Sequence, residues 1–481
     1  MRVAFVHPDL GLGGAERLIV DAACALVRRH HEVWIFTPYF DPHRCFSECT
    51  PASSSVSSPT PPSHRVTYTA SSFFIQRAGG LWPRTILNKA QAICTYIRCC
   101  LAALAVVAKH MFTDAKFDVA FVDSVSACVP ILQLCGIPVL FYCHYPDTLL
   151  QRAAKPSLLR RVYRAPVDAL EKYTTRGANA IAVNSEFTAR AYRLVFDKHA
   201  NPTVLYPPAP VSDATTCAKT APANPPVLLS INRFEGKKNL PLALDAMRKL
   251  RSAAEDVPRK NSAAARALQT KLVFAGGCDA RVTENAEQLC MLKLRADHQH
   301  LVHDTVRTQH IEDEREAAET VRSALNDTGT DVVFFPSCSD AVKRKLIDAC
   351  TCLVYTPEGE HFGIAPLEAA IASRPTVACA SGGPLETIAH GTTGYLCESG
   401  GGSSTLPGVD GASVAVRELT SCIPSEDASL AASFARHYAC MMDETVASEL
   451  GTNAKKRCLS MFTRDAFGER LEAALSKLVV S

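Results

Sequence analysis

The sequence predicts an α/β protein made of two doubly wound domains, each a largely parallel sheet with helices on both faces. Three observations support this prediction. A chain of 481 residues is longer than a single hydrophobic core usually supports. Short apolar strand-like segments alternate with helix-length segments almost throughout, which is typical of parallel sheets. The alternation pauses once, at a small, polar and proline-rich segment over 212–226 that we interpret as a linker.

The first domain is expected to span 1–211. Its first helix is an amphipathic segment at 15–29 that directly follows the first strand. The strands of this domain are short and apolar, and are predicted over 2–8, 32–38, 118–123, 138–144 and 180–185.

The second domain is expected to span 227–455. A helix over 456–481 should then pack back on the first domain. The strands of the second domain are predicted over 227–234, 271–277, 331–336, 352–357 and 376–381. Ligands of doubly wound sheets bind at the carboxyl ends of the strands, so we expect the active site in a cleft that the two domains face.

Three further segments look like surface insertions without chemical motifs. The segment 48–64 is rich in serine and proline and is expected to be disordered. The segment 253–270 is rich in alanine and charged residues, and 400–411 is rich in glycine and serine. We interpret all three as loops.

Composition excludes several classes of protein. A net charge of +3 with 21% charged residues is close to balance, so a polybasic nucleic-acid-binding protein is not expected. The 20 cysteines are scattered and form no CxxC pair, which favours reduced thiols in a cytosol-facing protein over disulfides or a zinc site. The longest apolar run, 99–108, is too short to span a bilayer. Its segment is either a core-facing helix or a helix at a membrane surface.

A glycine-rich turn, Gly11-Leu-Gly-Gly-Ala-Glu16, joins the first strand to the first helix. Gly13 and Gly14 would let the backbone approach a ligand closely, and a helix N-terminus favours anions. The alternative is a tight turn that serves packing alone. The spacing is not that of a dinucleotide fingerprint, which argues against an NAD-dependent oxidoreductase.

A basic turn, Ile231-Asn-Arg-Phe-Glu-Gly-Lys-Lys-Asn239, follows the first strand of the second domain. Arg233 and Lys238 could both point at one diphosphate, the arginine as a fork and the lysine as a point charge. Such cations would neutralise a departing nucleotide diphosphate. The alternative is a solvated basic turn.

The most specific motif is Glu360-His-Phe-Gly-Ile-Ala-Pro-Leu-Glu368. Pro366 suits the first turn of a helix, so Glu360 should precede that helix and Glu368 should lie in its first turn. The two carboxylates could hold hydroxyl groups of a sugar and of a ribose. The intervening backbone amides, including those of Phe362, Gly363 and Ile364, would face the same ligand. For Glu368 alone, the alternative is a glutamate that serves the helix dipole.

Two other strand ends carry polar residues. The segment Phe141-Tyr-Cys-His-Tyr-Pro-Asp147 places His144 where it could hydrogen-bond a sugar or an acceptor, and Asp147 could orient it or bind the acceptor. His144 could equally be structural. In Ser381-Gly-Gly-Pro-Leu-Glu386, Glu386 either contacts the sugar-nucleotide site or caps the following helix.

Taken in this order, the motifs resemble those of the retaining family 4 glycosyltransferases of the GT-B fold, which have two Rossmann-like domains around a central cleft. The resemblance implies that Glu360 contacts the donor hexose and that Glu368 holds the nucleotide ribose. It implies that Arg233 and Lys238 bind the diphosphate, and that the glycine turn and His144 complete the site. The guanine would lie near the backbone of 337–340.

Segments over nearly the whole chain are similar to one group in that family. Among these segments are HPDLGLGGAERLIVDAA, RAPVDALEKYTT, LLSINRFEGKKNL and EHFGIAPLEA. The group is the dolichol-pathway α-1,3/α-1,6-mannosyltransferases. The likeness implies GDP-mannose as donor, Man-GlcNAc2 diphosphodolichol as acceptor, and the cytosolic face of the endoplasmic reticulum membrane. It also implies other early mannosyltransferases of the pathway as partners. Because no full membrane span is evident, we expect a peripheral association with the membrane surface through 85–112. The rivals are another family 4 transferase and a non-catalytic sugar-nucleotide-binding subunit.

The same resemblance implies a mechanism. The donor and the products both carry α-linked mannose, so configuration is retained. No pair of carboxylates suited to a double displacement is evident. The family's mechanism is attack on the same face, in which the leaving diphosphate helps to deprotonate the acceptor hydroxyl. Arg233 and Lys238 would stabilise the developing charge. No Asp-x-Asp motif is present, so we expect no cofactor and no metal site of protein carboxylates.

Overall fold

The chain forms two compact units. The first comprises Met1–Pro208 and Phe462–Ser481, and the second comprises Ala209–Met461. The structure, a computed structural model, describes residues 1–49, 63–68, 71–86, 90–150, 158–210, 222–258, 260–279, 281–400 and 413–480. Most of the expected linker at 212–226, and most of the expected insertions at 48–64 and 400–411, therefore lie outside the described residues.

The first unit is built on an eight-stranded sheet. Its strands are β1 (Arg2–Val6), β2 (Glu32–Thr37), β3 (Ser63–Tyr68), β4 (Ser71–Arg77), β5 (Val119–Asp123), β6 (Val139–Cys143), β7 (Ala180–Val183) and β8 (Thr203–Val204). They are ordered β3-β4-β2-β1-β5-β6-β7-β8. Only the β3–β4 pairing is antiparallel. The chain winds from β1 to one side and then to the other, so the topological switch point lies between β1 and β5.

Helices cover both faces of this sheet. They are α1 (Gly14–Arg28), α2 (Gln91–Phe112), α3 (Val129–Gln133), α4 (Asp147–Leu150), α5 (Leu158–Arg176) and α6 (Glu186–Val195). One face packs Val3 and Phe5 of β1 against the apolar side of α1. The other face packs Ala4 and Val6 against α2. Successive β1 residues thus serve opposite cores, as the period of a strand requires.

The second unit is built on a seven-stranded parallel sheet. Its strands are β9 (Val227–Ile231), β10 (Lys271–Gly276), β11 (His303–Thr305), β12 (Val332–Pro336), β13 (Cys352–Tyr355), β14 (Thr376–Cys379) and β15 (Gly394–Cys397). The order is β11-β12-β10-β9-β13-β14-β15, and every pairing is parallel. The switch point lies between β9 and β13.

Ten helices of this unit fall within the described residues. They are α7 (Pro241–Glu255), α8 (Ser262–Gln269), α9 (Thr283–His298), α10 (Glu314–Asn326), α11 (Asp340–Ala349), α12 (Ala365–Ile371), α13 (Pro384–Thr387), α14 (Val414–Ser421), α15 (Leu430–Met441) and α16 (Glu444–Met461). The predicted alternation of strands and helices and the doubly wound class are confirmed. Every predicted strand is found inside its predicted range.

The last helix of the chain, α17 (Arg464–Val480), belongs to the first unit. Phe467, Leu471 and Leu475 enter the same core as α1. At the start of α17 the Arg464 guanidinium lies 2.9 Å from the buried carboxylate of Asp21 on α1. Residues 456–461, which we had assigned to the final helix, instead complete α16 of the second unit.

The interpretation of 253–270 as a loop insertion is wrong. Helix α7 runs to Glu255 and α8 occupies most of the remainder. The Asn261 side chain accepts a hydrogen bond from the backbone N–H of Ala264 at 2.9 Å and caps α8. Ala263, Ala264 and Ala267 are buried against neighbouring helices. The alanines that suggested a loop insertion form the apolar face of a helix whose small side chains allow close packing.

Helix α2 is longer than the ten-residue apolar run indicated. It has 22 residues, and among the described residues it alone is long and apolar enough to cross a membrane, a test that buried helices of soluble proteins also pass. One face is buried and includes Cys94, Ala102 and Val106. The opposite face exposes Leu104 and Met111. The core-facing interpretation is confirmed for one side of the helix, and contact of the exposed side with a membrane surface stays a prediction.

Candidate functional site

The basic turn and the Glu360 loop meet at the switch point of the second sheet, because β9 and β13 are neighbours. The turn after β9 ends in a short 3₁₀ segment, Gly236–Lys238. There the Lys238 Nζ lies 2.5 Å from Glu360 Oε2. The Lys238 carbonyl accepts a hydrogen bond of 2.7 Å from the Thr356 hydroxyl, which fixes the turn to the segment after β13. Two residues predicted for donor binding thus form one ion pair.

Arg233 has a different environment from Lys238. Its guanidinium is 68% exposed and lies 3.7 Å from Glu235. A long ion pair between solvent-exposed groups contributes little to holding a side chain in one conformation. The structure therefore places Arg233 on the same turn as Lys238, with freedom to reorient toward an anion.

The loop from Glu360 to Ile364 is shaped by the next strand-to-helix turn. Gly382 has φ of +69°, and a Cβ there would collide with the Glu360 carbonyl. A Cβ on Gly383 would collide with the backbone of Phe362. The Gly383 N–H donates to the Glu360 carbonyl at 2.7 Å. The two glycines of the Ser381–Glu386 motif therefore allow this turn to support the Glu360 loop, while Glu386 lies in the first turn of α13.

Glu368 has a partner that the sequence did not reveal. It lies in the first turn of α12, as predicted, and its Oε1 is 3.0 Å from the Nζ of Lys343 on α11. Burial disfavours the ammonium group, yet the Glu368 carboxylate raises the pKa of Lys343 above its ordinary value. Lys343 lies in the first turn of α11, the helix that follows β12. This position near a strand end was the only feature of the sequence that could have indicated a role for Lys343 in the site.

Tyr355, the last residue of β13, was likewise missed because we treated that strand as purely structural. It is 4% exposed, and its ring lies directly beneath Gly363, whose φ is +85°. Burial, together with the carboxylates of Glu360 and Glu368, raises the pKa of Tyr355 far above its ordinary value. The neutral hydroxyl can therefore act as a donor to Glu360.

In the first unit, His144 belongs to a buried charge cluster at the ends of β1, β5 and β6. The His144 Nε2 lies 2.7 Å from Asp123 Oδ1, and the His7 Nδ1 lies 3.0 Å from Asp123 Oδ2. Asp123 is 1% exposed. Burial opposes the charged imidazole, but the Asp123 carboxylate outweighs it and raises the pKa of His144. A single aspartate at the end of an otherwise apolar strand was the sequence signal for this cluster.

The glycine turn lies beside the same cluster. Gly13 directly precedes α1 and has an extended backbone, and Gly14 is the first residue of the helix. The Glu16 carboxylate folds back over Gly13, at the position that a side chain would occupy. Glu16 also helps to raise the pKa of His144, which shows that the two groups are close.

Asp147 is the first residue of α4 and is held by α5. Its carboxylate lies 2.7 Å from the Arg164 guanidinium, and its backbone N–H donates to the Glu171 carboxyl group at 3.1 Å. The carboxylate remains 38% exposed, so an acceptor hydroxyl could still reach it. In the part of the chain that the structure describes, no group of three or more His, Cys, Asp or Glu side chains is arranged to hold a metal ion.

Comparisons with known proteins agree with the two-unit architecture and with the order of the motifs. A model described as Glycosyltransferase Family 4 matches residues 12–212, and one described as Glycosyl transferases group 1 matches residues 215–404. The human protein Alpha-1,3/1,6-mannosyltransferase ALG2 is 39% identical, over 82% of this chain and 83% of its own. The protein of that name from Rhizomucor pusillus is 35% identical over 100% of this chain and 92% of its own.

Solved structures show the same fold at low sequence identity. Sucrose-phosphate synthase from Thermosynechococcus elongatus superimposes with a TM-score of 0.61 at 18% identity, covering 100% of this chain and 99% of that one. Anabaena HepE in complex with UDP-glucose gives a TM-score of 0.55 at 15% identity, covering 99% and 100%. At such identities the likeness extends to the GT-B fold and no further.

Proposed function

Since the chain belongs to the Alpha-1,3/1,6-mannosyltransferase ALG2 family, we propose that it adds an α-1,3-linked and then an α-1,6-linked mannose to Man-GlcNAc2 diphosphodolichol. It is a mannosyltransferase of the dolichol-linked N-glycan precursor pathway, with GDP-mannose as donor and a lipid-linked acceptor. What remains to be assigned is the role of each residue and the place where the reaction occurs.

The donor is held by the switch point of the second sheet. Glu360 accepts hydrogen bonds from hexose hydroxyls, and Glu368 accepts them from the ribose. Lys238 and Arg233 neutralise the diphosphate, and the backbone of Phe362, Gly363 and Ile364 lines the sugar. The observation that supports this assignment is the Lys238–Glu360 ion pair, which joins the two motifs beside the strand ends where doubly wound sheets bind nucleotides.

The Lys238–Glu360 pair also has a chemical consequence. A lysine already paired with a carboxylate is held in position before the donor arrives, so little reorganisation is needed when negative charge grows on the leaving diphosphate. Lys343 plays the corresponding part for Glu368 by fixing the orientation of its carboxylate. Both carboxylates are therefore preorganised for hydroxyl groups.

In the first unit, Gly13 and Gly14 allow close approach of the donor. His144, positively charged through Asp123, donates a hydrogen bond to the hexose or the acceptor, and Asp147 binds an acceptor hydroxyl. The attacking hydroxyl loses its proton to the leaving diphosphate oxygen on the same face of the sugar, so configuration is retained. No step of this scheme requires a metal held by protein carboxylates.

We place the reaction at the cytosolic face of the endoplasmic reticulum membrane. The free thiols of all described cysteines suit a reducing compartment. The outer face of α2 exposes Leu104 and Met111, with Lys109 and Lys116 nearby. An apolar stripe beside cations suits a peripheral helix at an anionic membrane surface.

The test is a transfer assay with GDP-mannose and a short-lipid Man-GlcNAc2 diphosphate, followed by mass spectrometry. The native chain should add one hexose and then a second. Glu360→Ala should lower kcat by about 10²-fold, the usual cost of removing one preorganised group. Glu358→Ala is the matched control, because it is an exposed glutamate of the same loop. Equal activity of Glu360→Ala and Glu358→Ala would refute the donor assignment, and no transfer by the folded native chain would refute the proposed acceptor.

A further inference from the structure

A buried glutamate of α5 holds the segment that follows β6. Glu171 is 9% exposed. One oxygen of its side chain accepts the backbone N–H of Asp147 at 3.1 Å, and the other contacts the Thr148 hydroxyl at 3.2 Å. Both partners lie at the start of α4. One side chain thus fixes two successive residues of the proposed acceptor-binding segment.

The segment is anchored at both of its ends. At its beginning, His144 is held by Asp123 at the end of β5. At its end, the α4 N-terminus is held by Glu171, and the Asp147 carboxylate is held by Arg164. Arg164 is itself fixed by Asp168, one helical turn further along α5, at 2.6 Å. The short link from His144 to Asp147 therefore spans two rigid attachments.

Helix α5 is in turn attached to the segment after β5 through the Ser126 hydroxyl group. The Glu171 carbonyl accepts a hydrogen bond from the Ser126 hydroxyl at 3.4 Å, and the Ser126 hydroxyl also bonds with Thr174 and Thr175 at 2.8 and 2.7 Å. Ser126 lies just after β5. The position of Glu171 is thus set by buried hydroxyl contacts, independently of its carboxyl group.

Charged and titratable groups face the Glu171 carboxyl group from the elements that pack around it. Asp147 faces it from α4, and Arg164 and Asp168 belong to its own helix. Tyr96 approaches from α2 and Cys143 from β6. Burial raises the pKa of Glu171 to about 7, with a further increase from Asp147, while the Asp147 N–H and Arg164 act in the opposite direction. The group changes charge near neutral pH.

We propose that Glu171 is a positioning residue for the acceptor side of the transfer reaction, acting through Asp147 and Thr148 without touching the substrate. The proposal rests on the acceptor role assigned to Asp147 above. The ionised carboxylate makes stronger hydrogen bonds to the N–H and O–H donors of the segment than the neutral acid does. The segment is therefore held more firmly as the pH rises through neutrality.

A purely structural role would give different behaviour. A glutamate that only stabilised the unit would change unfolding without changing affinity for one substrate. A positioning residue changes the acceptor KM while the donor KM stays constant, because Asp147 is displaced and Lys238 is not. The separation of the two KM values therefore distinguishes the two roles.

The experiment measures both KM values for the full-length protein with GDP-mannose and the short-lipid acceptor between pH 6 and 8.5. Glu171→Ala should raise the acceptor KM about tenfold and leave the donor KM unchanged, since small displacements of a binding group commonly cost 10- to 100-fold. Glu171→Gln keeps the size and can still accept from the Asp147 N–H. It should retain most activity at neutral pH and lose the fall in acceptor KM that we expect for the native chain as the pH rises through about 7.

Two further variants separate the possible failures. Glu469→Ala removes an exposed glutamate of α17 in the same unit and should match the native chain. Asp147→Asn should raise the acceptor KM. If Asp147→Asn raises the acceptor KM and Glu171→Ala does not, the proposal for Glu171 is overturned while the acceptor role of Asp147 stands. The same holds if Glu171→Gln keeps the native pH profile. If Asp147→Asn leaves the acceptor KM unchanged, the acceptor role of Asp147 is overturned and the proposal falls with it. Should Glu171→Ala fail to fold, the pH profile of Glu171→Gln decides.

Discussion

Replacement of Asp123 by asparagine tests the charge assigned to His144. The Asp123 carboxylate contacts His144 at 2.7 Å and His7 at 3.0 Å, and it is buried. It is the main reason that the pKa of His144 is raised despite burial. Asparagine keeps the shape and removes the charge. Burial then acts unopposed, so we expect His144 in Asp123→Asn to be neutral at pH 7.

The stability effect has a definite dependence on pH. The folded pKa of His144 is raised, so its contribution is complete below the unfolded value of about 6.5 and is lost as the pH rises through the folded value. The folded pKa of Asp123 is lowered, so its own contribution is lost only in acid, below about pH 4. Above about pH 4, only the contribution of His144 to stability changes with pH within this pair. The penalty of Asp123→Asn should therefore be larger at pH 6 than at pH 9.

The size of the effect follows from the burial of the pair. Removing one partner of a buried ion pair typically costs about 3–5 kcal/mol when the other charge is left behind. The lower end applies here, because asparagine is nearly isosteric and His144 can release its proton. A loss of about 3 kcal/mol corresponds to roughly 10²-fold faster exchange of amides that open with the sheet.

The assay is hydrogen exchange followed by mass spectrometry on a peptide that covers β5. A local readout is needed because a chain of two units does not unfold in one step. Each variant is compared with the native chain at the same pH, and Asp114→Asn, an exposed aspartate shortly before β5, is the control. Native protection in Asp123→Asn, or an equal penalty at pH 6 and pH 9, would refute the charged His144.

Two further predictions concern the exposed face of α2 and a buried histidine. Leu104→Asp on the exposed face of α2 should weaken co-flotation of the protein with vesicles of anionic phospholipid. Leu294→Asp, at a similarly exposed leucine of the second unit, is the control and should not weaken it. Equal flotation of the two variants would contradict the peripheral attachment. Burial lowers the pKa of His437 to about 4, so its contribution to stability is present above about 6.5 and is lost as the pH falls through about 4. His437→Gln should consequently show a smaller drop in thermal midpoint between pH 7 and pH 4.5 than the native chain, and an equal drop would contradict this.

The candidate site was predictable where its chemistry lies within one short segment. The position of Glu368 in the first turn of its helix follows from Pro366 two residues earlier, and the structure confirms it. The roles of Arg233, Lys238, Glu360, His144 and Asp147 stay predictions until the variants are measured. Asp123 and Lys343 escaped attention because a single charged residue in a strand or helix has no distinctive spacing.

Errors arose where local composition was a poor guide to packing. Alanines at 263, 264 and 267 suggested a loop insertion, yet their spacing covers one helical face, which is buried. The apolar run at 99–108 gave too short a helix, because the charged residues Arg98 and Lys109 interrupt the apolar run while α2 continues beyond both of them. In both cases the packing of the helix against its neighbours, and not its local composition, showed its role.

The sequence by itself determined the order of strands and helices, the doubly wound class and the family, because hydrophobic period and motif order are properties of contiguous residues. Only the tertiary structure decided which side chains meet. Lys238 and Glu360 are separated by 122 residues and come together because β9 and β13 are adjacent in the sheet. Likewise, Glu171 reaches Asp147 because α5 packs beside the end of β6. Strand order is fixed by burial of the whole sheet, a global property that no short segment encodes.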